Sequence, residues 1–135
     1  MGRLIFVNKV GNFENTDILG SLEYSCKVAG SKIIVVLGHE SCGAVKAACD
    51  GVELGNITHL LSNIKPAVEV SKSSETGAKD SSNGSFVAKT VENNVKLTIQ
   101  RIREKSPILK NMEEQGEIKI VGGVYSLSSG KVNLL

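Results

Sequence analysis

No stretch of about 18 apolar residues occurs in this 135-residue chain, which excludes a membrane-spanning helix. It also lacks a dense block of Lys and Arg: 16 basic and 14 acidic residues are scattered, for a net charge of +2. Without such a block, or aromatics interleaved with it, nucleic acid is not an expected partner. Cysteine is scarce and odd in number, at Cys26, Cys42 and Cys49, which argues against a disulfide framework and for free thiols or metal ligation. The opening MGRLIFVNKVG is too short and too early charged for a signal peptide, so a reducing, cytoplasmic setting is expected. No internal repeat is present. The length suits one domain, residues 1–135, with a core that needs no covalent staple.

The apolar pattern predicts an α/β fold. Leu4 to Val7 is a short apolar run broken at Gly11-Asn12, and Thr16 to Ala29 has helical spacing, with Asn15 or Thr16 as cap and Gly30 as terminator. Ile33 to Leu37 is continuously apolar, as in a strand buried on both faces of a parallel sheet. Gly43 to Cys49 reads as the next helix, and Ile57 to about Ile64 as another that Pro66 stops or restarts. The polar stretch 71–85 is expected to be a solvated loop, and Phe86 to Lys105 the longest helix, its apolar stripe covering the sheet. Glu117 to Val121 reads as a strand, Gly122-Gly123 as a bend, and Val124 to Leu127 as a continuation that meets Val132 to Leu135 through Ser128-Ser129-Gly130. The fold class is thus a mainly parallel β-sheet flanked by helices, with a C-terminal antiparallel hairpin.

Chemistry concentrates in residues 38–48, GHESCGAVKAA, at the carboxyl end of the Ile33–Leu37 strand, where ligands collect in such sheets. His39 and Cys42 are three residues apart where a helix begins. An imidazole and a thiolate there can share one tetrahedral Zn²⁺, with the flanking glycines expected to allow the sharp turn. A catalytic zinc takes three protein ligands and one open position, so a third ligand is required from elsewhere.

The segment GSLEYSCKVAGSKIIVVLGHESCGAVKAACDG, from Gly20 to Gly51, resembles the β-class carbonic anhydrases, as do VNKVGN, VENNVKLTIQRI and IKIVGGVYSLSSGKVNLL. The resemblance extends over nearly the whole chain. It implies a β-carbonic-anhydrase-like domain and a zinc enzyme that reversibly hydrates CO₂ to bicarbonate by zinc-bound hydroxide, with His39 and Cys42 as two ligands. It also implies a homodimer or larger oligomer. The family's remaining ligand cysteine, with the aspartate and arginine of a C-x-D-x-R segment, has no match in residues 1–135, so the catalytic residues are not assigned and the domain reads as short at its N-terminus. Because that segment forms an interior strand in the family, the resemblance predicts unpaired backbone N–H and C=O groups on two neighbouring strands, at about 1–3 kcal/mol for each left dry, in a gap that another chain, a swapped element or a rearranged sheet must fill. Lys9 stands where related sequences usually carry Arg before the turn, and Lys cannot make Arg's planar bidentate contact.

Local residues do not obviously complete the set. Cys49 lies about 10 Å along the helix from Cys42, too far to share an ion, and reads with Cys26 as a small core residue. His59 reads as a surface or helix-start histidine. Asp17, Glu40 and Asp50 could offer oxygen, although Glu40 is expected to point away from His39 into solvent. Two functions follow: a carbonic anhydrase whose third ligand comes from a partner chain or solvent, or a catalytically silent homologue that acts as an oligomerising or binding module.

Overall fold

Asn15 begins the first regular element by accepting a hydrogen bond from the backbone N–H of Ile18 at 2.8 Å, which satisfies one of the orphan donors of helix α1, Thr16–Glu23. The computed structural model describes residues 6–135. Leu4 and Ile5 lie outside them, while Phe6 and Val7 form no regular element. The predicted helix to Ala29 continues from α1 as a wider π-helical turn, Tyr24–Val28, and the left-handed Gly30 (φ +82°) ends it.

Strand β1, Ile33–His39, leads to α2, Gly43–Cys49, and α3, Gly55–Ser62. Pro66 sits in the first turn of α4, Lys65–Ser73, and so restarts the helix. The segment without helix is shorter than the expected 71–85 loop and covers residues 74–83. Ser71 is fully buried: its hydroxyl donates to the Ala67 carbonyl at 2.8 Å and accepts from Asn93 at 2.9 Å, so a serine read as solvated belongs to the core. The Asp50 carboxylate pins the loop by accepting from the Ser81 N–H at 2.8 Å and the Ser81 hydroxyl at 2.6 Å.

Helix α5, Gly84–Lys105, carries the predicted apolar stripe and precedes α6, Pro107–Glu114. The chain closes with β2, Lys119–Tyr125, and β3, Val132–Leu134. The sheet order is β1-β2-β3, with β1 and β2 parallel and β2 and β3 antiparallel. Gly122-Gly123 makes no bend, and β2 runs straight through it. A Cβ on Gly122 would lie 2.6 Å from Val95 Cγ1 and 2.9 Å from Ile99 Cδ1, so glycine here serves the close approach of α5.

Two apolar clusters flank the length of α5. One gathers Ile34, Val36 and Ile120 of the sheet with Val95, Ile99, Ile102 and the α6 residues Leu109 and Met112. The other joins Phe13, Cys42, Val45, Ile64, Phe86 and Val91 among the helices. Strand β1 is buried on one face only: Ile34 and Val36 are 5% and 6% exposed, but Ile33 and Val35 are 55% and 48% exposed. The expected burial of both faces is absent because α5 covers one side of the sheet. The outer edge of β1 has no strand beside it among the described residues.

Candidate metal centre

Parallel pairing sets His39 opposite Tyr125, and the Glu40 N–H extends the ladder by donating to the Tyr125 carbonyl at 3.0 Å. The chain then reverses through Ser41, whose φ of +53° places an ordinary residue in the left-handed region, and reaches Cys42 at the N-cap of α2. The sharp turn thus resides at Ser41 rather than in the flanking glycines. Gly38 has a different role: a Cβ there would lie 2.9 Å from Val91 Cγ1 and 3.0 Å from Val95 Cγ2, so its absence lets α5 seat directly beneath the turn.

His39 is exposed and its Nδ1 lies 2.8 Å from the Glu40 carbonyl oxygen. A carbonyl only accepts, so this bond requires the proton on Nδ1 and leaves the lone pair on Nε2. That is the tautomer of an imidazole free to ligate a metal through Nε2, with its other nitrogen held by a backbone carbonyl. Cys42 is buried and packs in the helical cluster with Phe13, Val45 and Phe86. The donors present, one imidazole nitrogen and one sulfur on a single turn, match zinc chemistry. Among the described residues no group of three or more His, Cys, Asp or Glu side chains gathers, so they do not complete a ligand set.

The other candidates are placed elsewhere. Cys26 and Cys49 are buried in separate apolar clusters, and burial pushes both thiols up from their ordinary range, as expected of core cysteines. His59 is exposed near the end of α3, beside Lys9, Asn15 and Asn56 in a shallow groove, and Asp17 is exposed on α1. Asp50 is engaged with Ser81, whose hydroxyl and N–H hold its carboxyl below the usual range. Glu40 points away from His39 but is not simply solvated: its Oε2 accepts from the Ser126 hydroxyl at 3.2 Å and the Leu127 N–H at 3.1 Å. Lys9 sits over the Phe13 ring, with Nζ 3.8 Å from its centroid.

Sequence reasoning missed the anchors behind the turn. Asn12 Nδ2 donates to the Leu37 carbonyl at 2.6 Å and Asn94 Nδ2 donates to the Gly11 carbonyl at 2.9 Å, tying the Gly11-Asn12 turn to both β1 and α5. Glu14, its side chain 3% exposed, accepts from Arg101 Nε at 2.9 and 3.0 Å and from Lys105 Nζ at 2.8 Å. Burial raises the Glu14 carboxyl, but hydrogen bonds from Lys105, its own backbone and Arg101 outweigh that, and the net shift is downward. The spacing of Arg101 and Lys105 on one helix face was the available signal, but nothing in the sequence joined them to a glutamate 87 positions away.

Fold and turn together define an α/β domain with a His-x-x-Cys turn at the carboxyl end of its first parallel strand. The chain belongs to the β-class carbonic anhydrase family: the family model described as carbonic anhydrase matches residues 1–132. Carbonic anhydrase 2 of Mycobacterium tuberculosis is 31% identical over 135 residues, covering 99% of this chain and 63% of that protein. The carbonic anhydrase of Mycolicibacterium smegmatis is 28% identical over 139 residues, covering 99% and 64%. The chain therefore spans just under two thirds of the length of these curated relatives. Among solved structures, the Coccomyxa β-carbonic anhydrase in complex with acetazolamide superposes with a TM-score of 0.79 at 27% identity, over 93% of this chain and 58% of that one. The Aspergillus fumigatus β-carbonic anhydrase CafA shares the fold with a TM-score of 0.80 at 24% identity, over 93% and 60%.

Proposed function

We propose that this chain is a zinc-dependent carbonic anhydrase-type protein acting on CO₂ and bicarbonate, and that Nε2 of His39 and Sγ of Cys42 are two of its zinc ligands. The observation that carries the reading is the hydrogen bond from His39 Nδ1 to the Glu40 carbonyl, which leaves a nitrogen lone pair on the same turn as the Cys42 sulfur. Zinc, when bound, supplies the Lewis acidity that makes a nucleophile of water at neutral pH. The chain's own residues present two donors, hold the imidazole tautomer, and back the turn with the apolar side chains of α5. No third donor gathers with them among the described residues of one chain, and we assign it to solvent or to a partner chain in a homodimer or larger assembly. Tetrameric β-carbonic anhydrases from Sordaria macrospora share the fold, with a TM-score of 0.77 at 20% identity.

The test joins metal analysis to CO₂ hydration by stopped flow. Purified protein is expected to hold about one zinc per chain, as a mononuclear site requires. His39→Ala is expected to remove both the zinc and any chelator-sensitive hydration. Zinc content near zero after growth in zinc would reject the reading.

One observation favours a second reading, a catalytically silent oligomerising module: the open edge of β1 with Ile33 and Val35 exposed beside it. It predicts self-association by native mass spectrometry, with little metal and no hydration above the buffer rate.

A further inference from the structure

The Glu40 carboxylate bonds to Ser126 and Leu127 rather than to His39 or Cys42, and Glu40 as a whole is fixed from three directions. Its N–H donates to the Tyr125 carbonyl at 3.0 Å, closing the last rung between β1 and β2. Its carboxylate Oε2 accepts from Leu127 N–H at 3.1 Å and Ser126 Oγ at 3.2 Å, across 87 and 86 positions of sequence. Its carbonyl oxygen accepts a hydrogen bond from His39 Nδ1 at 2.8 Å. The receiving turn is itself tied: Ser126 N–H donates to the Lys131 carbonyl at 2.8 Å, and Gly130 N–H to the Ser126 carbonyl at 2.9 Å.

His39 is exposed, so packing does little to fix its ring, and the Nδ1 bond is the one polar constraint found for it among the described residues. Ser41, on the other side of Glu40, has a left-handed φ of +53°, a conformation that a residue other than glycine keeps only where its surroundings fix it. We propose that Glu40 is a positioning residue: by fastening the His39–Glu40 peptide to the β2–β3 turn, its carboxylate keeps the Glu40 carbonyl aimed at His39 Nδ1 and so keeps Nε2 deprotonated and directed outward. Glu40 acts through His39 and touches no substrate. The inference deepens the zinc reading above, because the nitrogen it presents is the proposed ligand.

Long-range ¹H–¹⁵N NMR of the imidazoles of metal-free protein, at mildly alkaline pH, reads the tautomer directly. In the unaltered protein the Nδ1–H form of His39 is expected to dominate; dominance of the Nε2–H form overturns the proposal without any variant. Glu40→Ala, which keeps the carbonyl but unfastens it from the turn, is expected to lose that excess and to weaken zinc binding severalfold, less than the about 10–100-fold that follows removal of an outer partner itself. Glu40→Gln, which keeps an oxygen for the Leu127 N–H, is expected to restore both towards the unaltered values. Ser126→Ala, which takes the hydroxyl donor from Glu40 while leaving it the Leu127 N–H, and which also removes the contacts of that hydroxyl with Ser128 and the Ser129 N–H, is expected to shift the tautomer in the same direction by less. An unchanged tautomer and zinc affinity in folded Glu40→Ala overturn the proposal while leaving the zinc reading intact. A tautomer shift in a protein that binds no zinc supports the positioning role and rejects the zinc reading.

Discussion

The two faces of the three-stranded sheet differ far more in environment than in sequence. On the α5 side, Ile34, Val36 and Ile120 are buried against Val95, Ile99 and Ile102, and glycines 38 and 122 let the helix approach to contact. On the other side, Ile33 and Val35 stand about half exposed, although they are as apolar as the buried residues between them. A solvated sheet face normally alternates apolar and polar residues. The strand KIIVVLG does not, so the open face carries the side chains of a covered one.

Substitutions on the closed side are accordingly expected to be costly and those on the open side mild. Ile102→Ala, at a side chain 2% exposed in the cluster on the sheet, is expected to lower stability by about 2–5 kcal/mol in urea unfolding. A loss under 1 kcal/mol would mean that α5 does not pack as described. Glu14→Gln removes the charge that Arg101 and Lys105 of α5 share and is expected to cost about 1.5–3 kcal/mol. The same group sets a pH dependence. Its folded pKa is below the unfolded value, so its contribution is present above the ordinary carboxylate range and is lost as pH falls through the folded value; thermal unfolding from pH 7 downward should show this loss, diminished in Glu14→Gln. Gly122→Ala must push Val95 and Ile99 back from a Cβ that would lie within 3 Å of both, at about 1–3 kcal/mol. Val35→Thr on the open face should change monomer stability by no more than about 0.5 kcal/mol, and a larger loss at high protein concentration alone would reveal a partner on that face.

The H-x-x-C turn and its setting at the end of a parallel strand were legible because both are local: an apolar run, a glycine and a helix start within a dozen residues. The open face was not, since a continuous apolar strand reads as buried on both sides whether or not a second layer is present. Gly122-Gly123 looked like a bend because glycine usually interrupts strands, but here it accommodates two side chains of α5. Helix α6 went unread although its start is marked, with Ser106 Oγ accepting from the Leu109 N–H at 3.2 Å and Pro107 in the first turn. Ser71 misled for the opposite reason, since composition alone cannot show that a serine will return its hydroxyl to its own helix. The role of Glu40 depends on partners more than 80 residues away, beyond any local pattern.

One helix, α5, contributes to both apolar clusters, Phe86, Val87 and Val91 to one and Val95, Ile99 and Ile102 to the other. Neither half of the molecule can therefore loosen without disturbing the same rod. Its central amides should be the slowest to exchange with deuterated solvent, and the sheet and the helical half should open in one cooperative event rather than as separate foldons.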